Sequence, residues 1–146
     1  MPSARLVPEL LVGDIARSLA FYVDLIGFVV AYDRPEEGFA YLDLEGAELM
    51  LEETAADDPG AWWTGPPEPP LGRGINLQIE VADIDALAAR LEAARRPLFR
   101  PLQDRWYRAG ALEVGNRQLL VQDPDGYLLR FFGDLGERPI AAVTPR

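Results

Sequence analysis

Ile75-Asn76-Leu77-Gln78-Ile79-Glu80-Val81-Ala82-Asp83-Ile84 decides how this chain folds. Apolar and polar residues alternate strictly from position 75 to 81, the period of a strand with one buried face. Asp83 then stands where a helix would begin, placed to accept from the free N–H groups of its first turn. Ile84, Leu87, Ala88 and Leu91 follow at helical spacing, and Pro97 limits the helix. Near the start of the chain the order recurs. An apolar strand over residues 6–12 ends in Val12-Gly13-Asp14-Ile15, and Ile15, Leu19, Tyr22 and Ile26 form a second helical stripe, stopped by Gly27. Position 12 to position 81 is close to half the chain, so the sequence reads as one module used twice.

Each helix is followed by segments of strand character with turn punctuation. In the first half these are residues 28–33, 39–44 and 47–52, separated by Pro35-Glu36-Glu37-Gly38 and Glu45-Gly46. In the second they are residues 98–102, an irregular run from 111–114, and 119–122 followed by 127–132. Asp123-Pro124-Asp125-Gly126 is the turn that joins the last pair. Residues 54–74, rich in Pro and Gly and carrying Trp62-Trp63, read as a linker. The expected organisation is a first module over 1–53, the linker, a second module over 75–133 and a C-terminal tail over 134–146. The fold class is α+β: two β-α-β-β-β modules, each sheet covered by a helix on one face and free on the other. The two free faces are expected to curl into a half-barrel cavity.

Composition narrows the chemistry. The chain has 146 residues, 49% hydrophobic and 26% charged, the balance of a soluble globule. No apolar run is long enough to span a membrane. Residues 1–5 lack the basic and apolar regions of a secretory signal, which favours the cytoplasm. There is no Cys and no His, so a disulfide, a thiolate metal site, a cysteine nucleophile and a Ser-His-Asp triad are excluded. A metal would have only oxygen ligands, which suit magnesium or calcium. All 14 basic residues are Arg, against 24 acidic ones, for a net charge of −10. Such a surface repels nucleic acid and attracts cations, or simply confers solubility.

Strand alternation singles out candidate binding residues. Asn76, Gln78 and Glu80 oppose the apolar face of Ile75, Leu77, Ile79 and Val81. Glu48, Met50 and Glu52 oppose Leu49 and Leu51; Leu128, Arg130 and Phe132 oppose Tyr127, Leu129 and Phe131. These residues line either a cavity or a wet outer face, and Arg130 could equally join an ion pair with Glu48 or Glu80. Trp62, Trp63, Trp106 and Tyr107 lie in irregular segments, where an indole either plugs a core edge or meets a planar or cationic ligand. Phe39, opening a strand after an acidic turn, suits core packing or stacking.

Val12-Gly13-Asp14-Ile15, Phe21-Tyr22, Leu25-Ile26-Gly27-Phe28 and Gln122-Asp123-Pro124-Asp125-Gly126-Tyr127 resemble the vicinal oxygen chelate superfamily, from about residue 7 to 132. That superfamily includes glyoxalase I, extradiol dioxygenases, fosfomycin-resistance transferases and bleomycin-resistance proteins. The resemblance implies the paired module and, in its enzymes, a divalent metal held by His and Glu at four strand positions. Here those positions carry Val7, Met50, Asn76 and Arg130. No metal is expected, and the fixed charge of Arg130 would repel one.

The resemblance is nearest to the metal-free bleomycin-resistance branch. Val7-Pro8 looks like its N-terminal proline, which favours strand exchange between protomers. Phe39-Ala40 is similar to its ligand-stacking aromatic segment, and Arg117-Gln118-Leu119 to its Arg-Glu-Phe segment. Where that branch carries a Trp just before this segment, the chain has Gly115-Asn116, and Trp106 is the candidate substitute.

The resemblance therefore implies a homodimeric protein that sequesters a planar cationic antibiotic or similar compound without turnover, cofactor, nucleic acid or membrane. Phe39 and Trp106 would stack, and Glu48, Met50, Asn76, Gln78, Glu80, Arg117 and Arg130 would complete the wall. The alternative is a metal-free glyoxalase- or dioxygenase-like enzyme, with Arg130 or Arg117 clamping a carboxylate and Glu48 or Glu80 acting as base.

Overall fold

The computed structural model describes residues 4–140. The first module is β1 (Glu9–Val12), helix α1 (Ile15–Leu19), β2 (Val29–Arg34), β3 (Phe39–Leu44) and β4 (Ala47–Glu53), giving a sheet of order β1-β4-β3-β2. The second is β5 (Asn76–Glu80), helix α2 (Ile84–Ala93), β6 (Arg100–Ala109), β7 (Leu112–Gln122) and β8 (Leu128–Pro139), of order β5-β8-β7-β6. In each, the first strand pairs parallel with the last and the other pairs are antiparallel. The duplicated module is therefore present in both sequence and structure.

Both helices begin as their sequences predict. Asp14 accepts from the Arg17 N–H at 3.1 Å and Asp83 from the Ala86 N–H at 3.0 Å. The first helix departs from a regular α stripe. After Leu19 it continues through Ala20–Ile26 as a π-helix, and this wider turn buries the adjacent Phe21 and Tyr22 together. Arg90 of α2 donates to the carbonyls of Leu25 (3.2 Å) and Ile26 (2.8 Å), placing a cation on the last turn of the first helix.

The helix-bearing faces of both sheets share one core. Leu10, Val12, Leu49 and Leu51 from the first sheet join Leu119, Val121, Leu129 and Phe131 from the second, with Tyr22, Ile26, Leu87 and Leu91 from the helices. The opposite sheet faces consequently point away from that core.

Several expected bounds move. Leu6 is exposed and the first strand starts only at Glu9, paired to β4 of the same chain. Ile75, expected beneath a helix, is 63% exposed because it belongs to the turn before β5, its N–H donating to the Gly72 carbonyl. The runs at 111–114 and 119–122 are one strand, β6 reaches Ala109, and β8 extends to Pro139 through part of the expected tail. Residues 141–146 of that tail lie outside the described residues.

Candidate functional site

The turn at Asp123–Gly126 does more than join two strands. Asp123 Oδ1 accepts from the N–H groups of Asp125 (2.9 Å) and Tyr127 (3.0 Å), and its Oδ2 accepts from the Tyr22 hydroxyl at 2.7 Å. Asp125 Oδ1 accepts from the Gly13 N–H at 3.0 Å, and the Tyr127 hydroxyl donates to the Leu11 carbonyl at 2.9 Å. These contacts lock the second module to β1 and the first helix. Burial raises the Asp123 carboxyl pKa despite the three donors, and burial beside Asp123 and Asp125 pushes the Tyr127 hydroxyl up to about 12.

The Asp123 shift has a pH signature. The folded chain holds the Asp123 proton more tightly than the unfolded chain, whose carboxyl has the ordinary value of 3.8. Stability from this group therefore falls as pH rises through the folded pKa and is regained as pH drops toward the unfolded one. We expect the stability of the wild type relative to Asp123→Asn to rise as pH is lowered from about 7 to about 4. Urea unfolding across that range measures it, and a pH-independent difference would contradict it.

The predicted binding residues fall on separate surfaces. Phe39, Glu48 and Met50 stand on the free face of the first sheet, registered with Glu52, Asp43 and Tyr41 respectively. Asn76, Gln78, Glu80 and Arg130 stand on the free face of the second sheet, where Gln78 is registered with Arg130 and Leu120 flanks it on β7. Since both free faces point away from the common core, one chain does not bring the two groups together.

Arg117 and Trp106 lie elsewhere. Arg117 is in phase with the buried Leu119 and Val121, on the helix-bearing side. Its Nε donates to Asp104 at 2.8 Å and its Nη1 to Asp85 of α2 at 3.4 Å. The bond to Arg117 lowers the Asp104 pKa, and Asp104 raises that of Arg117. Trp106 shares this phase. Its indole lies across Gly115, where a Cβ would stand only 2.7 Å from the ring, and Arg138 stacks on it at 3.9 Å. The indole thus occupies the space above the glycine itself. On the second sheet's free face the predicted binding set left out the buried Gln118 and Asn116; Tyr107, singled out beside Trp106, joins them there, its hydroxyl donating to Gln118 Oε1 at 3.0 Å.

The free face of the first sheet is aromatic and acidic. Tyr32 stacks on Tyr41 with ring centroids 4.9 Å apart and leans on Phe39 at 6.0 Å. The Arg34 guanidinium covers the Phe39 ring at 3.9 Å, held by Glu37 at 2.6 Å. Phe39 is buried, but by this layer and not by the hydrophobic core. Glu48 accepts from the Ala4 N–H at 2.6 Å, and burial and the Glu48 carboxylate raise the Tyr41 pKa. Burial, then repulsion from Glu52, raises that of Glu9.

Beside this face the linker forms two adjoining clefts that share Glu9, Leu11 and Trp62. One of about 550 Å³ is lined further by Trp63, Arg73 and Tyr127. The other, of about 510 Å³, is lined further by Arg34, Glu52 and Asp58. Trp62 is 82% exposed, whereas Trp63 is tied down by its indole N–H donating to the Ala55 carbonyl at 3.1 Å.

The model of the Glyoxalase/Bleomycin resistance protein/Dioxygenase superfamily matches residues 5–131. The chain belongs to that superfamily. It is 31% identical over 137 residues to the bleomycin resistance protein of Geobacillus stearothermophilus, covering 86% of this chain and 93% of that relative. The same figures hold for a bleomycin resistance protein of Staphylococcus aureus. Among solved structures it is similar to TioX from Micromonospora sp. ML1, with a TM-score of 0.68 and 27% identity over 91% of this chain and all of that one. A protein of unknown function from Agrobacterium tumefaciens str. C58 gives a TM-score of 0.67 and 27% identity, covering 92% of this chain and 98% of that one.

The divalent metal held by the superfamily's enzymes does not fit the residues present. Val7, Met50, Asn76 and Arg130 offer one amide and no carboxylate or imidazole, with a cation among them. Among the described residues, no group of three or more acidic side chains is placed to hold a metal ion. No helix among them is long and apolar enough to cross a membrane.

Proposed function

We propose that this superfamily member is a binding protein of the bleomycin-resistance type, a homodimer that holds a planar cationic compound without transforming it. The observation that carries this reading is the guanidinium of Arg34 lying over the Phe39 ring, 3.9 Å from its centroid. A planar cation already occupies the aromatic face, supplied by the protein itself, within a layer that includes Tyr32 and Tyr41. A guest of the same chemistry would displace Arg34 and meet Glu9 and Glu52, whose mutual repulsion a cation relieves. The net charge of −10 draws such a guest in from a distance. The resemblance to bleomycin resistance proteins of two organisms supports the same class of ligand.

Calorimetric titration with bleomycin tests this. Phe39→Leu keeps an apolar filler but loses the ring face, and is expected to weaken binding about tenfold. Arg34→Ala uncovers the ring and removes a competing cation, and is expected to tighten binding by roughly three- to tenfold. Absence of saturable binding by the wild type, or weaker binding by Arg34→Ala, would overturn the assignment.

A further inference from the structure

The free face of the second sheet carries a different chemistry. Arg130 stands on β8, which is flanked by β5 and β7, so its guanidinium rises from the middle of the sheet. Its Nε is buried and has no protein acceptor among the described residues. Among the described residues it is the one arginine nitrogen that is buried without a partner; Arg34, Arg117, Arg138 and Arg17, by contrast, reach the carboxylates of Glu37, of Asp104 and Asp85, of Glu113 and of Asp125.

A buried N–H of a charged group without an acceptor is costly, and an anion brought to it removes that cost. An anion on such a group gains more than at a hydrated surface, because the nearby dielectric is low. Gln78, in register beside Arg130, and the buried Gln118 supply polar groups. Leu120, Leu128 and Phe132 share the face and supply half-buried apolar surface. This combination suits a carboxylate attached to an apolar body better than an inorganic anion.

We propose that Arg130 anchors the carboxylate of a small organic acid on the free face of the second sheet, with the body of the acid against Leu120 and Phe132. This site does not rest on the cation reading, which concerns the first sheet. No bond is made or broken in it.

The arginine Nε–H resonances of the ¹⁵N-labelled full chain test the proposal, with benzoate as the probe. Burial shields the Arg130 Nε–H from exchange, and its signal is assigned by its loss in Arg130→Gln. Benzoate is expected to shift that resonance saturably, while neutral benzamide leaves it in place. Arg130→Lys keeps the charge but not the fork of donors, and is expected to bind benzoate about tenfold more weakly. Arg117→Gln, which removes an arginine already paired, leaves the affinity unchanged. An Arg130 resonance unmoved by benzoate, or moved equally by benzamide, overturns the proposal, as would an intermolecular contact showing that a second copy of the chain supplies the acceptor. Failure of bleomycin to bind would leave these outcomes untouched, so the two readings fall separately.

Discussion

Asp123→Ala is expected to destabilise the chain by about 3–5 kcal/mol, a large share of the 5–15 kcal/mol of a typical domain. The carboxylate serves three donors at once: the Tyr22 hydroxyl and the backbone N–H groups of Asp125 and Tyr127. Asp123 is only 3% exposed and Tyr22 is fully enclosed, so water cannot take over. Each donor left unmatched costs roughly 1–3 kcal/mol. Asp123→Asn keeps one oxygen for the two backbone groups and an amide beside Tyr22, whose hydroxyl can turn to accept. Its cost should be under about 1.5 kcal/mol. Urea unfolding separates the two, and equal midpoints would show that the shape of the turn matters more than its acceptor.

The second large effect concerns the next corner of the same turn. Gly126 has φ +101°, and a Cβ there would stand 2.5 Å from both the Cα and Cβ of Pro70. Backbone conformation and close approach both require glycine. Nor can the neighbour yield cheaply, because the Leu71 N–H donates to the Asp125 carbonyl at 2.9 Å and fixes the linker against the turn. Gly126→Ala is therefore expected to cost about 3 kcal/mol or more. Gly46→Ala is the control: φ is also positive, at +98°, but the space is open, so strain acts without a clash. If thermal unfolding shows the two variants to be equally stable, the linker is not held against the turn as described.

What could be read in advance follows from the range of the interactions. Asp14 and Asp83 act on N–H groups three residues away, so the helix starts were visible from spacing. The polar face of Asn76, Gln78 and Glu80 was visible because the alternation of β5 is unbroken. The long ends of β6, β7 and β8 were not, since Asp104, Arg105 and Arg108 interrupt any apolar pattern and pairing along the ladder sustains the strands instead. This also displaced Arg117: a strand continuous through residues 112–122 puts it in phase with Leu119 and Val121, away from Arg130. The π-helical turn that buries Phe21 beside Tyr22 has no spacing signature. The bond from Tyr22 to Asp123 joins residues 101 apart, and only the packed modules bring them together. Phe39 lies between these cases, since its strand was legible but the layer of Tyr32 and Arg34 over it depends on the register of β2 against β3.

The central claim is capture of a planar cation without chemistry on the free face of the first sheet. Its most direct test is to incubate the purified protein with bleomycin, follow saturation by calorimetry, then release the compound and weigh it by mass spectrometry. The account predicts saturable binding and recovery of the compound at unchanged mass. A new mass that accumulates with time, or no saturation at all, would contradict it.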